Sequence, residues 1–346
     1  MLRAELLGHW PGPVYADGAM MRHSDLRAIG VLCSGGDAPG MNAGVRAVTR
    51  AAIYRGIDVW GVLDGYNGLV ERRTEKLTAR SVSGLLQRGG SLIGSGRCDA
   101  FLDGAVREAC VVYLREQGIE GLVVLGGDGS LEGAMQLHRL GLPVAVVPAT
   151  IDNDMLGTEI TVGADTAVNT AMEAIDRLNE TASAHSRAMI VEVMGRHCGY
   201  LAIQAGIAAG AELILTPERP VELGSIFEQM AEAVAQGKNR FVIVLAEGAQ
   251  WHASELTQLI NDADNPYDAR FTILGYIQRG GSPSRFDRIL ATRMGVAAVE
   301  ALLDGQSGVL AAWQRNGVEL ISGDELPPRA DPWGASMAHV HRITAV

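Results

Sequence analysis

Short continuous apolar runs recur along the chain, and each leads directly into a loop rich in glycine or charged residues. Residues 122–125 lead into the loop 126–130, and residues 143–147 lead into the loop 148–154. Runs that are apolar on both faces are typical of central strands in a parallel sheet. Open α/β sheets bind ligands at the carboxyl ends of such strands. If these two strands are neighbours, their acidic loops share one crevice.

The same alternation of strand, loop and helix extends over most of the chain. Further strand-and-loop segments are predicted at residues 28–42, 59–68, 188–199, 241–248 and 272–281, and helices at 43–54, 106–117, 131–140, 163–187 and 289–303. At least six such units indicate a doubly wound α/β fold, repeated in two halves with mainly parallel sheets. The periodic pattern is lost after Gly305, so no further element is predicted there.

Composition and charge narrow the choice of partners. A chain of 346 residues with 47% hydrophobic content can build two domains, and its net charge of -11 provides no attraction for nucleic acid or an anionic membrane. The four cysteines lack metal-binding spacing, and prolines and polar residues interrupt the first 25 residues, so no signal peptide is predicted. We therefore expect a cytoplasmic protein with reduced thiols, in which local arginines bind any anionic substrate and residues 1–27 form an N-terminal extension.

Three glycine-rich loops, at residues 34–42, 89–97 and 126–130, are suited to phosphate groups. Glycine lets the backbone approach a ligand closely, and amides at a helix start bind phosphate oxygens. The first of these loops matches neither the dinucleotide nor the Walker fingerprint. For the first loop the alternative is a tight turn without a ligand, and for the second it is a surface loop with a solvated Arg97.

Asp128 is unusual beside a phosphate site, because a carboxylate repels an anion unless a divalent cation lies between them. We therefore interpret Asp128 as a magnesium anchor. The alternative is an aspartate that hydrogen-bonds its own Asp-Gly turn. Ser130 closes this loop and is predicted to cap the helix that follows.

Together the loops indicate transfer of a phosphoryl group between two phosphorylated molecules. The predicted crevice combines three glycine loops with aspartates at 128, 152 and 154 and arginines at 97, 196 and 279. In phosphoryl transfer the protein mainly positions the groups and stabilises charge, while one carboxylate accepts the proton of the attacking hydroxyl. The loop 150–154 is the natural place for that base.

Five segments resemble the 6-phosphofructokinase family of the bacterial, ATP-dependent type. They are GVLCSGGDAPGMN at 30–42, GGDGS at 126–130, TIDND at 150–154, EVMGR at 192–196 and QRGGSP at 278–283. The resemblance covers about residues 28–305. It implies the glycolytic transfer of a phosphate from MgATP to the 1-hydroxyl of fructose 6-phosphate.

The resemblance also implies roles for individual residues. The nucleotide site would consist of Gly36, Arg97, Cys98, Gly127, Asp128, Gly129 and Ser130. The sugar phosphate would be bound by Thr150, Asp152, Arg187, Met194, Gly195, Arg196, Glu247, Arg270, Tyr276 and Arg279. Asp152 would be the base, Thr150 would place the sugar, and Asp154 would support the metal or the base. Arg97 and Arg196 would stabilise charge on the moving phosphoryl group.

The resemblance bears on assembly as well. Arg187 and Arg270 match positions that reach the site of a neighbouring subunit, which implies a homotetramer or a homodimer. Residues 28–163 with about 278–325 would form the nucleotide-binding domain. Residues 164–277 with the C-terminal tail would form the sugar-phosphate-binding domain.

Two positions bear on the phosphate donor. Pyrophosphate-dependent relatives typically carry Asp in place of Gly129, where it obstructs the α-phosphate of a nucleotide, and Lys in place of Ala149. The small residues at both positions favour ATP over pyrophosphate. Tyr276 stands where many bacterial relatives have His, and it cannot carry a positive charge.

Two rival functions remain open from the sequence. A kinase of the NAD or diacylglycerol type also uses a Gly-Gly-Asp-Gly loop, but it does not explain the segments 194–196 and 278–281. A non-catalytic, nucleotide-sensing subunit would have no need of Asp152 beside Thr150.

Overall fold

Two mainly parallel β-sheets, seen in a computed structural model, organise the chain. The structure describes residues 26–185, 187–263, 265–328 and 331–345, so nearly all of the expected N-terminal extension lies outside the described residues. The strands are β1 (Ala28–Cys33), β2 (Asp58–Val62), β3 (Thr74–Leu77), β4 (Gly121–Gly126), β5 (Val144–Pro148), β6 (Arg187–Val193), β7 (Leu213–Leu215), β8 (Phe241–Ala246), β9 (Asp268–Ile273), β10 (Val309–Gln314) and β11 (Gly317–Ser322).

Helices connect most of these strands. They are α1 (Met41–Tyr54), α2 (Tyr66–Val70), α3 (Gly104–Glu116), α4 (Asp128–Arg139), α5 (Ala164–His185), α6 (Tyr200–Ala208), α7 (Leu223–Ala235), α8 (Ala253–Asp262), α9 (Arg285–Leu303) and α10 (Gly334–Thr344). Two short 3-10 helices, Asp99–Leu102 and Gly275–Arg279, lie in loops. No helix in the described part of the chain is long and apolar enough to cross a membrane.

The first sheet has seven strands in the order β11-β10-β5-β4-β1-β2-β3. All neighbours pair in parallel except the two edge strands β3 and β11, which are antiparallel. The chain builds outward from β1 through β2 to β3, and then continues from β4, on the other side of β1, to β5. The loops after β1 and β4 therefore diverge at a topological switch point, where open α/β sheets bind their ligands.

The second sheet has four parallel strands in the order β7-β8-β6-β9. The chain enters it through α5 and returns through α9 to the first sheet. One apolar core includes members from both sheets, such as Val31 and Val123 of the first and Val191 and Val244 of the second. The predicted α/β class with mainly parallel sheets is confirmed.

The neighbouring strands predicted at the centre are also confirmed. β4 pairs with β5 in parallel, from Leu122 opposite Val144 to Gly126 opposite Pro148. All residues of both strands are buried, as expected for runs that are apolar on both faces.

Several predicted boundaries are wrong. α4 begins at Asp128, with Gly127 in the capping position, so Ser130 lies inside the first turn and does not cap the helix. The predicted turn at 64–68 leads into the short helix α2. The strand predicted within 272–281 ends at Ile273, and residues 275–279 form a 3-10 helix. The strands β10 and β11 and the helix α10 follow Gly305, where no element was predicted.

Candidate active site

A cleft of about 670 Å³ opens at the carboxyl ends of β1, β4 and β5. Eleven residues predicted for the site line it: Gly36, Arg97, Cys98, Gly127, Asp128, Gly129, Ser130, Thr150, Asp152, Asp154 and Arg279. The three aspartates therefore share one crevice, as the strand pattern predicts.

The first turn of α4 forms one wall of the cleft. Gly127 precedes the helix in an extended conformation, and Asp128 is its first residue. The positive end of the helix dipole favours phosphate oxygens at this place, and it also favours the carboxylate of Asp128. The wall therefore has the properties expected of a phosphate site with an acidic residue for a cation.

The first two glycine loops are joined beside this wall. The Ser34 amide donates to the Leu125 carbonyl (2.9 Å), which holds the loop after β1 against β4. The Gly35 amide donates to the Gly96 carbonyl (3.1 Å), and the Ser95 hydroxyl donates to the Gly35 carbonyl (3.0 Å). These bonds hold the loop that carries Arg97 next to the loop that follows β1.

The far end of the cleft is aromatic. Tyr66 and Phe101 stack with ring centroids 4.1 Å apart, and the Tyr66 hydroxyl donates to the Ser130 carbonyl (2.6 Å). Arg107 donates from Nη1 to the carbonyls of Phe101 and Leu102, at 2.8 Å each. An apolar wall with fixed backbone is suited to a flat, partly apolar group such as a nucleobase.

The loop after β5 presents Asp152. The Asp152 amide donates to Thr150 Oγ1 (3.3 Å), and Thr161 Oγ1 donates to the Thr150 carbonyl (2.6 Å). Asn153 has a positive φ of 49°, and its Oδ1 accepts from the Thr161 amide (2.8 Å). The hydrogen bonds on both sides of Asp152 therefore hold this loop in one conformation.

Asp152 is placed as a base. Its Oδ1 is buried and has no hydrogen-bond partner among the described residues. The pKa of Asp152 is raised to about 6, chiefly by burial; Asp154 and Glu247 contribute to the rise, while Arg279 and His197 oppose it. An oriented carboxylate with an unused oxygen and a pKa nearer neutrality is suited to accept a proton.

Arg279 closes the cleft from the side of the second sheet. It lies in the 3-10 helix after β9, and its Nη1 donates to the Asp37 carbonyl (3.2 Å). A Cβ on Gly36 would lie 2.5 Å from Arg279 Nη1, so any larger residue at position 36 would displace this arginine. The close approach explains why glycine is needed there.

Another predicted group lies beside the cleft at the carboxyl ends of β6 and β8. The Glu247 amide donates to the Val193 carbonyl (2.8 Å), and the Gly248 amide donates to the Gly195 carbonyl (3.3 Å). The Met194 amide donates to Gln278 Oε1 (3.4 Å). These contacts bring Met194, Gly195, Arg196 and Glu247 together, although none of the four lines the cleft itself.

Three predicted residues lie apart from this cleft. Arg187 and Arg270 both contact Asp268, at 3.5 Å and 3.0 Å, on the paired strands β6 and β9. Tyr276 is 83% exposed. Within one chain, these residues are not brought to Asp152.

Several residues of the cleft wall lie outside the motifs that predict the site. They include Tyr66, Phe101, Arg107, Gln136 and His197. His197 lies in the loop after β6, where the adjacent Cys198 Sγ contacts the Asn153 carbonyl at 4.0 Å. Its position directly after Arg196, at the end of the Met-Gly-Arg segment, is the signal that could have identified it.

Several acidic residues line the cleft, among them Asp128, Asp152 and Asp154. No group of three or more His, Cys, Asp and Glu side chains that could hold a metal occurs within the described ranges. Magnesium is usually bound by one or two carboxylates together with substrate phosphates and water. The carboxylate oxygens of Asp128 are hard ligands, and they fit this mode, in which the protein supplies only part of the coordination.

Known proteins are similar to this chain in sequence and in architecture. The ATP-dependent 6-phosphofructokinase of Tolumonas auensis is 48% identical over 301 residues, which cover 86% of this chain and 92% of that protein. A phosphofructokinase structure from Saccharomyces cerevisiae superposes with a TM-score of 0.79 at 36% identity over 92% of this chain, although this chain covers only 46% of the yeast chain. A pyrophosphate-dependent phosphofructokinase from Marinobacter aquaeolei has a TM-score of 0.81 at 21% identity, over 92% of this chain and 91% of that one, and it shows the same fold.

The family assignment rests on the sequence itself. The sequence profile of the family described as Phosphofructokinase matches residues 28–302. This match includes both sheets up to the end of β9, the helix α9 almost to its last residue, and every residue that lines the cleft. The chain belongs to the phosphofructokinase family.

Proposed function

We propose that the protein is an ATP-dependent 6-phosphofructokinase, which transfers the γ-phosphoryl group of ATP to the 1-hydroxyl of fructose 6-phosphate in glycolysis. The observation that carries this proposal is Asp152, a buried carboxylate with an unused oxygen in a cleft that also contains a helix N-terminus and three arginines. The relative named ATP-dependent 6-phosphofructokinase, which is 48% identical to this chain, supports the proposal.

The chemistry follows from the residues of the cleft. The oxygen of the 1-hydroxyl attacks the γ-phosphorus, and Asp152 accepts the proton of that hydroxyl. The bond between the γ-phosphorus and the bridging oxygen of ADP breaks. Arg97 provides a planar, permanently charged group for the oxygens of the moving phosphoryl group, and Arg196 has the same role from the loop after β6. Asp154 acts on Asp152 through its charge, which raises the pKa of the base.

Asp128 is the residue that would hold magnesium. The ion would neutralise charge on the phosphate oxygens of the donor. Because the described residues contain no group of three or more side chains that could hold a metal, the phosphates of the nucleotide and water complete the coordination in this proposal.

The donor assignment rests on two small residues of the cleft. A Cβ built on Gly129 would have no other atom within 4 Å, so the space beside this residue is open to the donor. Ala149 is buried, and it also lines the cleft. An aspartate at position 129 would project into this space and would repel the α-phosphate of a nucleotide.

The sugar phosphate would bind on the side of the second sheet. Met194, Gly195, Arg196 and Glu247 would contact the sugar, Arg279 would bind its phosphate, and Tyr276 would contribute one hydrogen bond. In this arrangement residues 28–163 with about 278–325 act as the nucleotide-binding domain, and residues 164–277 with the C-terminal tail act as the sugar-phosphate-binding domain. The reaction would take place in the cytoplasm, where glycolytic intermediates occur.

Arg187 and Arg270 would act in a homotetramer or a homodimer. They lie with Asp268 on neighbouring strands, on a surface where Phe271 and Ile273 are also exposed. An apolar surface rimmed by paired charges is typical of a contact between subunits. In this proposal the two arginines reach the 6-phosphate in the site of a neighbouring subunit.

One comparison of phosphate donors tests the proposed function. The purified protein is assayed with fructose 6-phosphate and magnesium, once with ATP and once with pyrophosphate, and fructose 1,6-bisphosphate is measured directly. We expect turnover with ATP and little or none with pyrophosphate. Faster turnover with pyrophosphate would favour the second candidate, a pyrophosphate-dependent phosphotransferase, and no product with either donor would contradict both.

A further inference from the structure

A buried carboxylate, Asp287, lies where the two helices that connect the sheets begin. The chain leaves the first sheet through α5 and returns from the second sheet through α9, and Asp287 is the third residue of α9. Its relative exposure is 0%. No step of the proposed reaction uses this carboxylate, so its burial needs another explanation.

Both carboxylate oxygens accept hydrogen bonds from the start of α5. Oδ1 accepts from the Gly163 amide (2.8 Å), and Oδ2 accepts from the amide (2.8 Å) and the hydroxyl of Thr166. Amides in the first turn of a helix have no partner within that helix, so a carboxylate satisfies them well. Asp287 of one crossing helix therefore caps the other crossing helix.

Ser284 completes the connection in the opposite direction. Its hydroxyl accepts from the Asp287 amide (3.2 Å) and caps α9, and it donates to Asp165 Oδ2 (2.5 Å). The Ser284 amide donates to Thr166 Oγ1 (3.0 Å). The starts of α5 and α9 are thus joined by reciprocal bonds, which we call the crossing cluster and define as Gly163, Asp165, Thr166, Ser284 and Asp287.

The first glycine loop packs against the crossing cluster. Gly40 has φ 113°, and a Cβ there would lie 2.6 Å from Val162 Cγ1 and 3.5 Å from the Asp287 Cβ. Gly163 has φ 103°, and a Cβ there would lie 2.7 Å from the Ala38 Cβ. These close approaches leave no space for relative movement without loss of contact.

The same cluster fixes the segment that carries Arg279. Residues 280–284 connect Arg279 directly to Ser284 at the start of α9. Arg279 in turn donates to the carbonyl of Asp37 in the first glycine loop (3.2 Å). The crossing cluster and this bond therefore hold the two ends of one short segment against the same loop.

Burial of a carboxylate is unfavourable, so we expect this arrangement to have a function. The pKa of Asp287 is raised to about 6, chiefly by burial; the bonds from Thr166 and Gly163 oppose the rise, and the charge of Asp165 contributes to it. A buried charge is expensive, and apolar residues of similar size often replace such groups without loss of stability. An apolar residue makes no directional bonds, so it cannot define one relative position for three backbone segments.

We propose that Asp287 is a positioning residue that fixes the segment 279–284, and with it Arg279, against the first glycine loop. The proposal rests on the proposed function, because Arg279 is there the ligand of the sugar phosphate. The nucleotide wall at Gly127–Ser130 follows β4 and forms the start of α4, and no residue of the crossing cluster lines the cleft there. A variant that weakens the crossing cluster should therefore impair the binding of fructose 6-phosphate more than the binding of ATP.

The test compares two variants of the crossing cluster with a matched control. Asp287→Asn replaces one acceptor oxygen by an amino group that faces N–H donors, and Thr166→Val removes the hydroxyl that joins Asp287 to Ser284. Thr49→Val is the control, because Thr49 is also fully buried but, among the described residues, its hydroxyl bonds within α1, to the Val45 carbonyl (2.8 Å). KM for each substrate, kcat, the melting temperature and amide hydrogen exchange are measured for each variant.

We expect both cluster variants to raise KM for fructose 6-phosphate about tenfold, which corresponds to one buried hydrogen bond. KM for ATP should change less than about twofold, on the same scale of free energy. Amide exchange should quicken at residues 163–166 and 279–284, and Thr49→Val should change neither KM nor this exchange. If Asp287→Asn fails to fold, Thr166→Val alone decides.

Two results would overturn the proposal. One is a lower melting temperature or kcat with both KM values unchanged, which would mean a structural role only. The other is an equal rise of both KM values, which would mean a general distortion of the cleft. A wild-type protein without fructose 6-phosphate kinase activity would instead refute the proposed function, while the exchange data would still report whether Asp287 fixes these segments.

Discussion

Asp152 is the residue whose surroundings are most clearly shaped for one task. Its buried Oδ1 lacks a partner among the described residues, although most buried polar atoms in proteins have one. We predict that Asp152→Ser lowers kcat by about 10²- to 10⁴-fold, because general-base catalysis is lost, while KM changes little. Steady-state kinetics with both substrates checks this, and Asp262→Ser at the exposed end of α8 is the control. An unchanged kcat would remove Asp152 from the mechanism.

The pH dependence of the reaction follows from the same carboxylate. Because burial raises the pKa of Asp152 to about 6, the base becomes protonated as the pH falls through 6. We predict that kcat/KM for fructose 6-phosphate is constant above this value and falls below it. The reaction should therefore lose rate at a pH where an exposed aspartate would still be ionised.

Neighbouring charges give this pH prediction an internal control. Asp154 raises the pKa of Asp152 and His197 lowers it. Asp154→Asn should therefore move the acidic limb of the profile to lower pH, and His197→Gln should move it to higher pH. Profiles that coincide for all three proteins would show that the limb belongs to another group.

At the scale of single residues, the sequence predicted the chemistry better than the surroundings. Asp128, Asp152 and Asp154 were predictable because each follows an apolar strand within a recognisable motif. Tyr66 and Phe101 were not, because they reach the cleft through a ring stack between two separate loops. The pKa of Asp152 was likewise out of reach, since it depends on burial and on Glu247, which lies 95 positions further along the chain.

At the scale of elements, we expect the choice of phosphate donor to depend on the start of α4. Gly129 is the second residue of this helix, and its open space lies in the cleft. We predict that Gly129→Asp folds normally but raises KM for ATP by at least about tenfold, because a carboxylate beside a phosphate costs more than 1.4 kcal/mol.

Gly224 offers a closely matched control for this change. It is the second residue of α7, and a Cβ there also meets no other atom within 4 Å. Gly224→Asp makes the same substitution at an equivalent helical position outside the cleft, so it should leave KM for ATP unchanged. Equal effects of the two substitutions would show that the helix start, and not the donor site, responds to the aspartate.

Elements differed in how well the sequence predicted them, and their position in the sheet explains the difference. The central strands β1, β4 and β5 are buried along their whole length, so their sequences are continuous apolar runs. The edge strand β3 is Thr-Glu-Lys-Leu and is mostly exposed, so it lacks that signal. The hairpin of β10 and β11 turns at Arg315 and Asn316, both with positive φ, and arginine gives little indication of such a turn.

At the scale of the whole molecule, the position of Arg187 and Arg270 bears on how the subunits assemble. Both arginines contact Asp268 on β6 and β9, outside the cleft that contains Asp152. If they act in the site of a neighbouring subunit, each site needs Asp152 from one chain and the arginines from another. The periodicity of the sequence could not indicate this separation, because periodicity describes the packing within one chain; only the family resemblance implies it.

Subunit complementation tests this arrangement. We predict that Asp152→Ser and the double variant Arg187→Ala, Arg270→Ala are each nearly inactive alone. Mixed, and allowed to exchange subunits, they should form hybrid sites with an intact Asp152 from one chain and intact arginines from the other. In a symmetric dimer half of the assemblies are hybrids with one good site of two, so activity should return to about one quarter of the wild type. If the arginines acted within their own chain, every hybrid site would lack one component, and mixing would restore nothing.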